Sequence, residues 1–274
     1  MRHSSLGMFL LVSVGSLTVL AALAAPWTPA QIFPPAPPPV PLPTPRLADG
    51  TPNLGPTEPG KGYWVPRQHR DYAEVLVSPD EIPYQPWARA LAEYRRARDS
   101  KYDPQGRCLP PGGPRMMTTP YPMEILQLPE QGRILMIYEG NAHVFRIVYT
   151  DGREHPDRDS MAPTFLGHST GHWEGDTLVI DTVGFNENAW IDMAGDPRTD
   201  RLHLIERLTR TDLHTLRYEA TIDDPGAYTE PWTIAFDIHW DPDGQIQEYI
   251  CQENNRWLES LTDEDGNPIY IRAR

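Results

Sequence analysis

Two segments of this chain alternate apolar and polar side chains with a period of two residues, and this pattern limits the possible folds. Residues 232–240 carry Trp, Ile or Phe at every even position, while the odd positions carry Thr, Ala, Asp and His. Residues 216–222 alternate in the same way. Successive side chains of a strand point to opposite faces of a sheet, so this pattern predicts strands with one buried face.

Six further segments have the composition of strands, which gives about eight strands in total. They are residues 124–128, 133–139, 142–150, 176–183, 202–209 and 246–253. Most connections are short turns, which join antiparallel neighbours. We predict a mainly β fold, an antiparallel up-and-down β-barrel of about eight strands. An open β-sandwich is the alternative. Two connections, residues 152–172 and 184–201, are long, and long loops in a compact domain tend to be functional.

The residues before the strands predict an exported protein with a covering helix. Residues 1–24 have the charged start, apolar run and small-residue end of a signal peptide. We therefore expect a periplasmic or extracellular protein with no membrane insertion after signal cleavage. Residues 25–70 are proline-rich and predict a linker. Residues 86–98 predict a helix whose core-facing stripe is Trp87, Leu91 and Tyr94. The predicted domain bounds are 71–122 for this helix and a cysteine-tethered loop, 123–255 for the barrel and 256–274 for a C-terminal tail.

The two cysteines and the net charge exclude some classes of protein and of binding partner. Cys108 and Cys251 are the two cysteines of the chain, and an even pair in an exported protein indicates a disulfide. Two reactive or metal-binding thiols are the other interpretation, but no CxxC spacing accompanies them. The formal net charge of −14 argues against nucleic acid as a partner, because phosphate binding needs a positive surface. No Walker loop, dinucleotide fingerprint or HExxH motif occurs, so we predict no cofactor.

Residues 133–156 carry more ionisable side chains than a structural hairpin needs. His143 and Arg146 fall on opposite faces of one predicted strand, so only one of them can face the barrel interior. Glu206 lies on the apolar face of another predicted strand, where a carboxyl group has a raised pKa unless it is paired. Two interpretations stay open for Glu206. It is either a general acid or base, or the partner of an arginine such as Arg146 in a buried ion pair.

Residues 167–176 place His168 and His172 near the end of a long connection. Together with Glu206 or His203, the two histidines would make a metal site, which with Glu206 is of the two-histidine, one-carboxylate type. Without a metal they would serve as acid and base over a pocket mouth. Ser169 beside them suggests a nucleophile and its base, but the GxSxG motif of serine hydrolases is missing.

Four segments, as a combination, resemble a set of exported bacterial proteins of about this size that are mostly uncharacterised. They are RCLPPGGPRMM at residues 107–117, EGNAHVFRIVYTDGREHP at 139–156, LGHSTGHWEGDTLVIDTVGF at 166–185 and YICQENN at 249–255. The resemblance spans residues 83–255. It implies an exported single domain with a lipocalin-like (calycin) barrel, and it transfers no activity, because a fold does not establish a function.

We predict that the barrel binds a small, largely apolar molecule, because its apolar strand faces carry aromatic and ionisable side chains. In the enzymatic version of this hypothesis the reaction is a proton transfer of the isomerase, lyase or cyclase type. Its base would be Glu206 or His143. Its acid would be His168 or His172, with Arg146 holding a ligand anion. The other predicted ligand-binding residues are Tyr138, Glu139, Trp173, His203, Tyr218 and Trp232.

Two other functions stay open. One is a non-catalytic structural or interaction module of the cell envelope, in which the ionisable residues only form internal ion pairs. The other is a metal-dependent hydrolase or oxygenase. The sequence does not indicate an oligomeric state.

Overall fold

Nine strands and one α-helix make up the regular structure of the described residues. The computed structural model describes residues 41–66, 81–98, 101–140, 144–253, 255 and 256. The predicted signal peptide, His143 and nearly all of the predicted tail lie outside these ranges. In chain order the elements are β1 Tyr63–Val65, α1 Pro86–Arg96, β2 Met123–Leu128, β3 Arg133–Tyr138, β4 Phe145–Tyr149, β5 His168–Glu174, β6 Thr177–Val183, β7 His203–Arg210, β8 Thr215–Asp223 and β9 Trp232–Asp241. No helix in the described ranges is long and apolar enough to cross a bilayer.

The nine strands pair in chain order and form one closed barrel. β1 closes the barrel by pairing with both β2 and β9. Neighbouring strands are antiparallel except β4 and β5, which are parallel. Parallel neighbours need a crossover connection, and residues 150–167 supply it. The predicted β-barrel is confirmed and the open sandwich is wrong. The strand number is nine, and the purely antiparallel arrangement is corrected by the β4–β5 pair.

Three strand predictions differ from the structure for identifiable reasons. β1 is only three residues long, too short to show an alternation, and it falls in a segment whose prolines predicted a linker. β5 begins in the segment interpreted as a long loop, and its inward-pointing Ser169 is polar, so its sequence lacks an apolar face. The predicted strand at residues 246–253 is wrong, since none of these residues is in a strand. The barrel is already closed by β1 and β9, which leaves no edge for a further strand.

Helix α1 packs through alanines and not through its aromatic residues. Ala88 and Ala92 are fully buried, whereas Trp87 and Tyr94 have 47% and 44% of their surface exposed. The prediction that Trp87 and Tyr94 face the core is therefore wrong, whereas Leu91 is partly buried. Small side chains allow the helix backbone to approach its neighbours closely. Helix α1 therefore packs through its alanines and not through its largest apolar side chains.

The last turn of α1 is hydrogen-bonded to the connection between β6 and β7. Arg95 Nη1 donates to the carbonyl oxygen of Gly195 at 2.9 Å, and Arg96 Nη2 donates to Asp196 Oδ1 at 2.6 Å. Tyr84 Oη donates to the same carboxylate oxygen at 2.6 Å. These bonds hold one long connection at a fixed position beside the helix.

The interior of the barrel is filled with side chains. The inward residues of β8 have no exposed surface, and residues 111–119, which precede β2, are all buried. Met116 and Met117 of that segment belong to the same core cluster as the strands. A Cβ on Gly113 would lie 2.8 Å from Leu204 Cδ2, so the segment packs directly on the inward face of β7. We call residues 111–119 the plug.

Gly112 lets the plug enter the barrel, and replacing it should destabilise the protein. Its φ is +71°, and a Cβ there would lie 2.1 Å from the carbonyl oxygen of Phe165 and 2.6 Å from Arg198 Nη1. A left-handed backbone alone costs a residue with a Cβ about 1–2 kcal/mol. We expect Gly112→Ala to lower the free energy of unfolding by more than this amount, measured by equilibrium unfolding in urea, because the clash adds to the backbone cost.

Gly152→Ala is the matched control for this experiment. Gly152 has a φ of +81°, and nothing lies within 4 Å of the position of its missing Cβ. It should lose only the backbone term of about 1–2 kcal/mol. Equal losses at Gly112 and Gly152 would contradict the tight packing of the plug.

Candidate functional site

The inward face of the barrel carries a buried arginine that is paired with a buried glutamate. Arg146 of β4 and Glu206 of β7 form an ion pair, with 4% and 0% of their side chains exposed. Arg146 Nε donates to Ser169 Oγ at 3.0 Å, and Arg146 Nη2 donates to Thr182 Oγ1 at 2.7 Å. Tyr218 Oη donates to the second glutamate oxygen at 2.8 Å. Arg146 therefore points into the interior, which answers the question that the strand alternation left open.

This interior pair has the properties of a structural ion pair. Burial alone would lower the pKa of Arg146, but the Glu206 carboxylate outweighs burial and the pKa is raised. Each carboxylate oxygen of Glu206 accepts a hydrogen bond, one from Arg146 and one from Tyr218. Of the two interpretations of Glu206, the geometry favours the ion pair, because both carboxylate oxygens are hydrogen-bonded inside the protein and the side chain has no exposed surface.

The other predicted site residues lie in separate environments. Tyr138, Tyr218 and Trp232 are buried in the interior. Glu139 is at the end of β3, where its Oε2 accepts a hydrogen bond from the backbone N–H of Gln247 at 2.8 Å. His143 lies outside the described residues. Tyr138 and Tyr218 therefore share the interior with Arg146 and Glu206, whereas Glu139 lies apart from them.

The outward face of β5 carries two of the predicted residues. The His172 side chain is 63% exposed, and its Nε2 lies 3.2 Å from Glu174 Oε1. Trp173 points to the opposite face of β5 and is partly buried against the core cluster. His168 also points outward, whereas Glu206 points inward, so the structure does not bring His168, His172 and Glu206 together as a catalytic or metal-binding set.

Three histidines and one aspartate meet on the outer wall of the barrel. His168 of β5, Asp181 of β6 and His203 of β7 all point outward, since the residue that follows each of them is buried in the barrel. His155 reaches them from the crossover connection of residues 150–167. We call His155, His168, Asp181 and His203 the histidine cluster.

Hydrogen bonds link the histidine cluster into one chain. Asp181 Oδ1 lies 2.9 Å from His203 Nε2 and 3.1 Å from His155 Nε2. The other ring nitrogen of His155, Nδ1, lies 2.8 Å from His168 Nδ1. The ring of Tyr149 stacks on the His168 ring at 5.4 Å between centroids. His155 thus lies between the carboxylate and the second imidazole.

The pKa values of the residues in the histidine cluster are shifted in different directions. The pKa of Asp181 is lowered, mainly by the hydrogen bond between Asp181 and His203. The same bond raises the pKa of His203. Burial, followed by the charges of His155 and Arg153, lowers the pKa of His168. At neutral pH the aspartate is therefore ionised and the His168 imidazole is neutral.

The predicted metal site is not formed by the described residues. Within those ranges no three His, Cys, Asp or Glu side chains are arranged so that they could hold a metal ion. In the histidine cluster the two nitrogens of His155 face different partners, which explains why the rings do not converge on one point. Without a metal, the cluster has the elements of acid–base chemistry.

An open cavity of about 490 Å³ lies beside the disulfide. The predicted bond between Cys108 and Cys251 is present, and residues on both sides of Cys108 line the cavity. The lining comes from α1, from the segment around Cys108 and from both long connections. It consists of Arg95, Tyr102, Pro104, Arg107, Leu109, Phe165, Glu187, Asn188 and Trp190. We call this cavity the groove.

The groove combines aromatic walls with two arginines. The Arg95 guanidinium lies 4.6 Å from the centre of the Trp190 ring, and burial lowers the pKa of Arg95 to about 10, so it stays protonated at neutral pH. Arg107 is exposed and forms no hydrogen bond or ion pair with the part of the chain that the structure describes. Glu187 is the one acidic lining residue. The groove therefore has a positive excess on a chain whose net charge is −14.

The comparisons with known proteins do not extend this description. No family model, curated protein or solved structure matches the chain. The sites themselves are therefore the basis of the functional proposal.

Sequence reasoning missed several residues of these sites. Asp181 interrupts the apolar residues of β6, and its odd position there was the available signal. The groove residues Arg107, Tyr102 and Trp190 lie in irregular segments and have no periodic pattern, so their convergence could not be read from the sequence. Both long connections contribute residues to the groove, and their functional role stays a prediction.

Proposed function

We propose that this chain is an exported barrel protein that binds a small organic anion with an aromatic group in the groove. The observation that carries the proposal is the Arg107 guanidinium, which has no partner in the described residues and lines a cavity together with Trp190 and Phe165. The cavity volume of about 490 Å³ is in the range of small-molecule sites. Guanidinium groups bind carboxylates through paired hydrogen bonds and stack on aromatic rings.

The packing of the interior is the reason for placing the ligand in the groove and not in the barrel. A lipocalin-like protein would hold its ligand inside the barrel, but a barrel of about this size has room either for packed side chains or for one small ligand. Here Glu206 and Tyr218 have no exposed surface, and the plug occupies the space beside β7. A ligand in the interior would have to displace these groups, whereas the groove is open.

The walls of the groove are held in place by a disulfide and by hydrogen bonds, which favours ligand binding. The Cys108–Cys251 bond ties one wall across the chain. Arg115 holds the same segment through two hydrogen bonds to Asp103, at 2.9 and 2.5 Å. Arg95 binds the opposite wall through Gly195. A preorganised site loses less conformational entropy when a ligand binds, so its contacts translate into affinity more fully.

The proposal predicts a charge-dependent affinity that Arg107 controls. We expect naphthoate to bind more tightly than its neutral match, naphthamide, when both are titrated calorimetrically at neutral pH. Arg107→Gln should weaken naphthoate binding by about tenfold or more, because a hydrogen bond to a charged group contributes about 1.5–3 kcal/mol. Naphthamide binding should change little.

Arg201→Gln is the control variant. Arg201 is exposed and does not line the groove, so this variant removes the same charge from another place on the surface. Its affinity for naphthoate should equal that of the unaltered chain. If Arg107→Gln and Arg201→Gln lose the same affinity for naphthoate, the net charge of the chain causes the loss. This result would contradict a site in the groove.

A non-catalytic envelope module is the second candidate. It is favoured by the complete pairing of Arg146 and Glu206, which gives these interior groups a structural role without any ligand. Under this candidate neither naphthoate nor naphthamide would bind, so the same titration separates the two functions.

A further inference from the structure

The hydrogen bonds of the histidine cluster allow only one arrangement of its protons when the imidazoles are neutral. An ionised carboxylate only accepts hydrogen bonds, so His155 and His203 must both donate to Asp181 from Nε2. A neutral imidazole has one N–H, which leaves His155 Nδ1 as an acceptor. The partner at 2.8 Å, His168 Nδ1, must therefore be the donor. His168 Nε2 is then left without a proton.

The unprotonated nitrogen of His168 has no hydrogen-bond partner within the described ranges. His168 is only partly buried, so this atom can be approached from solvent. Tyr149, stacked on the same ring, supplies an apolar surface beside it. The arrangement is a nucleophile or base supported by a second imidazole and a carboxylate, as in a catalytic triad.

We propose that His168 is an acylatable nucleophile for small carbonyl electrophiles, with His155 and Asp181 as positioning residues that accept its proton. The His168 Nε2 lone pair forms a bond to the carbonyl carbon of an ester, and the bond from that carbon to the leaving oxygen breaks. The leaving group departs as an alkoxide or phenolate. The proton on His168 Nδ1 passes to His155 Nδ1, and the resulting cation lies beside the Asp181 carboxylate. Water then adds to the acyl carbon, the bond from that carbon to His168 Nε2 breaks, and the carboxylic acid is released with the hydroxyl of water. His155 returns its extra proton to His168 Nδ1, and the second proton of the water neutralises the alkoxide or phenolate.

The groups around His168 keep it in the reactive form. His155 faces its Nδ1, and Tyr149 lies against its ring. The Arg153 guanidinium is 3.8 Å from the centre of the Tyr149 ring and pairs with Asp151. Burial and the neighbouring positive charges lower the pKa of His168, so the ring is unprotonated at neutral pH. This inference does not depend on the function proposed for the groove.

His172 provides an internal control on the same strand. It points outward like His168, but it is 63% exposed and contacts only Glu174 in the described residues, without a second imidazole. We would measure the release of nitrophenolate from p-nitrophenyl acetate by the full chain and by His168→Gln, His172→Gln and Asp181→Asn. We expect the rate to fall by about tenfold or more in His168→Gln and to stay unchanged in His172→Gln. Asp181→Asn should lose rate and move the midpoint of the pH–rate profile.

A merely structural role for the cluster gives different results. Equal rates of nitrophenolate release in His168→Gln and His172→Gln would overturn the proposal. An unchanged pH–rate profile in Asp181→Asn would overturn it as well. Should a variant fail to fold, nitrogen NMR of the unaltered chain labelled at histidine decides the matter. The proposal requires the proton of neutral His168 on Nδ1 and none on Nε2, and the opposite tautomer overturns it.

Discussion

Replacing Cys108 and Cys251 by serine should lower the free energy of unfolding by about 4–5 kcal/mol under oxidising conditions. The bond joins residues 143 positions apart, and a cross-link that closes so long a loop removes much conformational entropy from the unfolded chain. Cys108 also has a left-handed backbone, with a φ of +62°. Serine meets the same backbone cost there, so the double variant isolates the loss of the cross-link. The measurement is equilibrium unfolding in urea.

The single variants test whether the cross-link itself causes the loss. Cys108→Ser and Cys251→Ser each abolish the same bond, so each should lose about as much stability as the double variant, which is a strongly non-additive result. The remaining thiol must be kept reduced during these measurements. The naphthoate affinity should fall as well, because residues on both sides of Cys108 line the groove. Losses that simply add, or a double variant within about 1 kcal/mol of the unaltered chain, would contradict this account.

Glu206→Gln should destabilise the protein by about 3–5 kcal/mol, since it leaves the buried charge of Arg146 without its partner. The substitution conserves size and leaves an oxygen that can accept the hydrogen bond from Tyr218. The loss therefore reports the missing charge and not a cavity. Urea unfolding measures it.

Removing the second charge should reverse most of this effect. In Arg146→Met combined with Glu206→Gln neither charge of this ion pair remains, and Ser169 and Thr182 can still bond to each other, as their oxygens lie 3.0 Å apart. Replacing a buried ion pair by neutral groups is often neutral for stability. A double variant as unstable as the single one would contradict the role of Glu206 as a charge partner. Naphthoate affinity should be unchanged in both variants, because neither residue lines the groove.

The parts of the fold that the sequence predicted are those whose strands have one apolar face. β8 and β9 show a complete alternation, and their inward residues are all buried. β5 lacks that signal because its inward Ser169 serves the Arg146 network. α1 was located correctly, but its buried face was not, since the alanines that pack closely carry little hydrophobic signal. The period of a sequence pattern therefore predicts where a helix or strand forms better than it predicts which residues of that element pack against the core.

The sites were predicted to a smaller extent because they depend on which segments meet in space. The alternation placed Glu206 on an apolar face and named Arg146 as a partner, and the pair is present. It could not show that His155 bridges His168 and Asp181, because the crossover connection that carries His155 has no periodic structure. The groove arises where α1, two long connections and the disulfide segment converge, and no local pattern specifies such a meeting.

The most direct measurement of the central claim follows the tryptophan indole N–H signals while naphthoate is titrated into the full chain. Trp190 lines the groove, and Trp232 lies in the barrel interior, where its indole nitrogen has no partner in the described residues. We expect the Trp190 signal to shift until the site is saturated and the Trp232 signal to stay in place, and we expect Arg107→Gln to weaken the shift. Movement of the Trp232 signal alone, or no shift of Trp190 at saturating naphthoate, would contradict a ligand site in the groove.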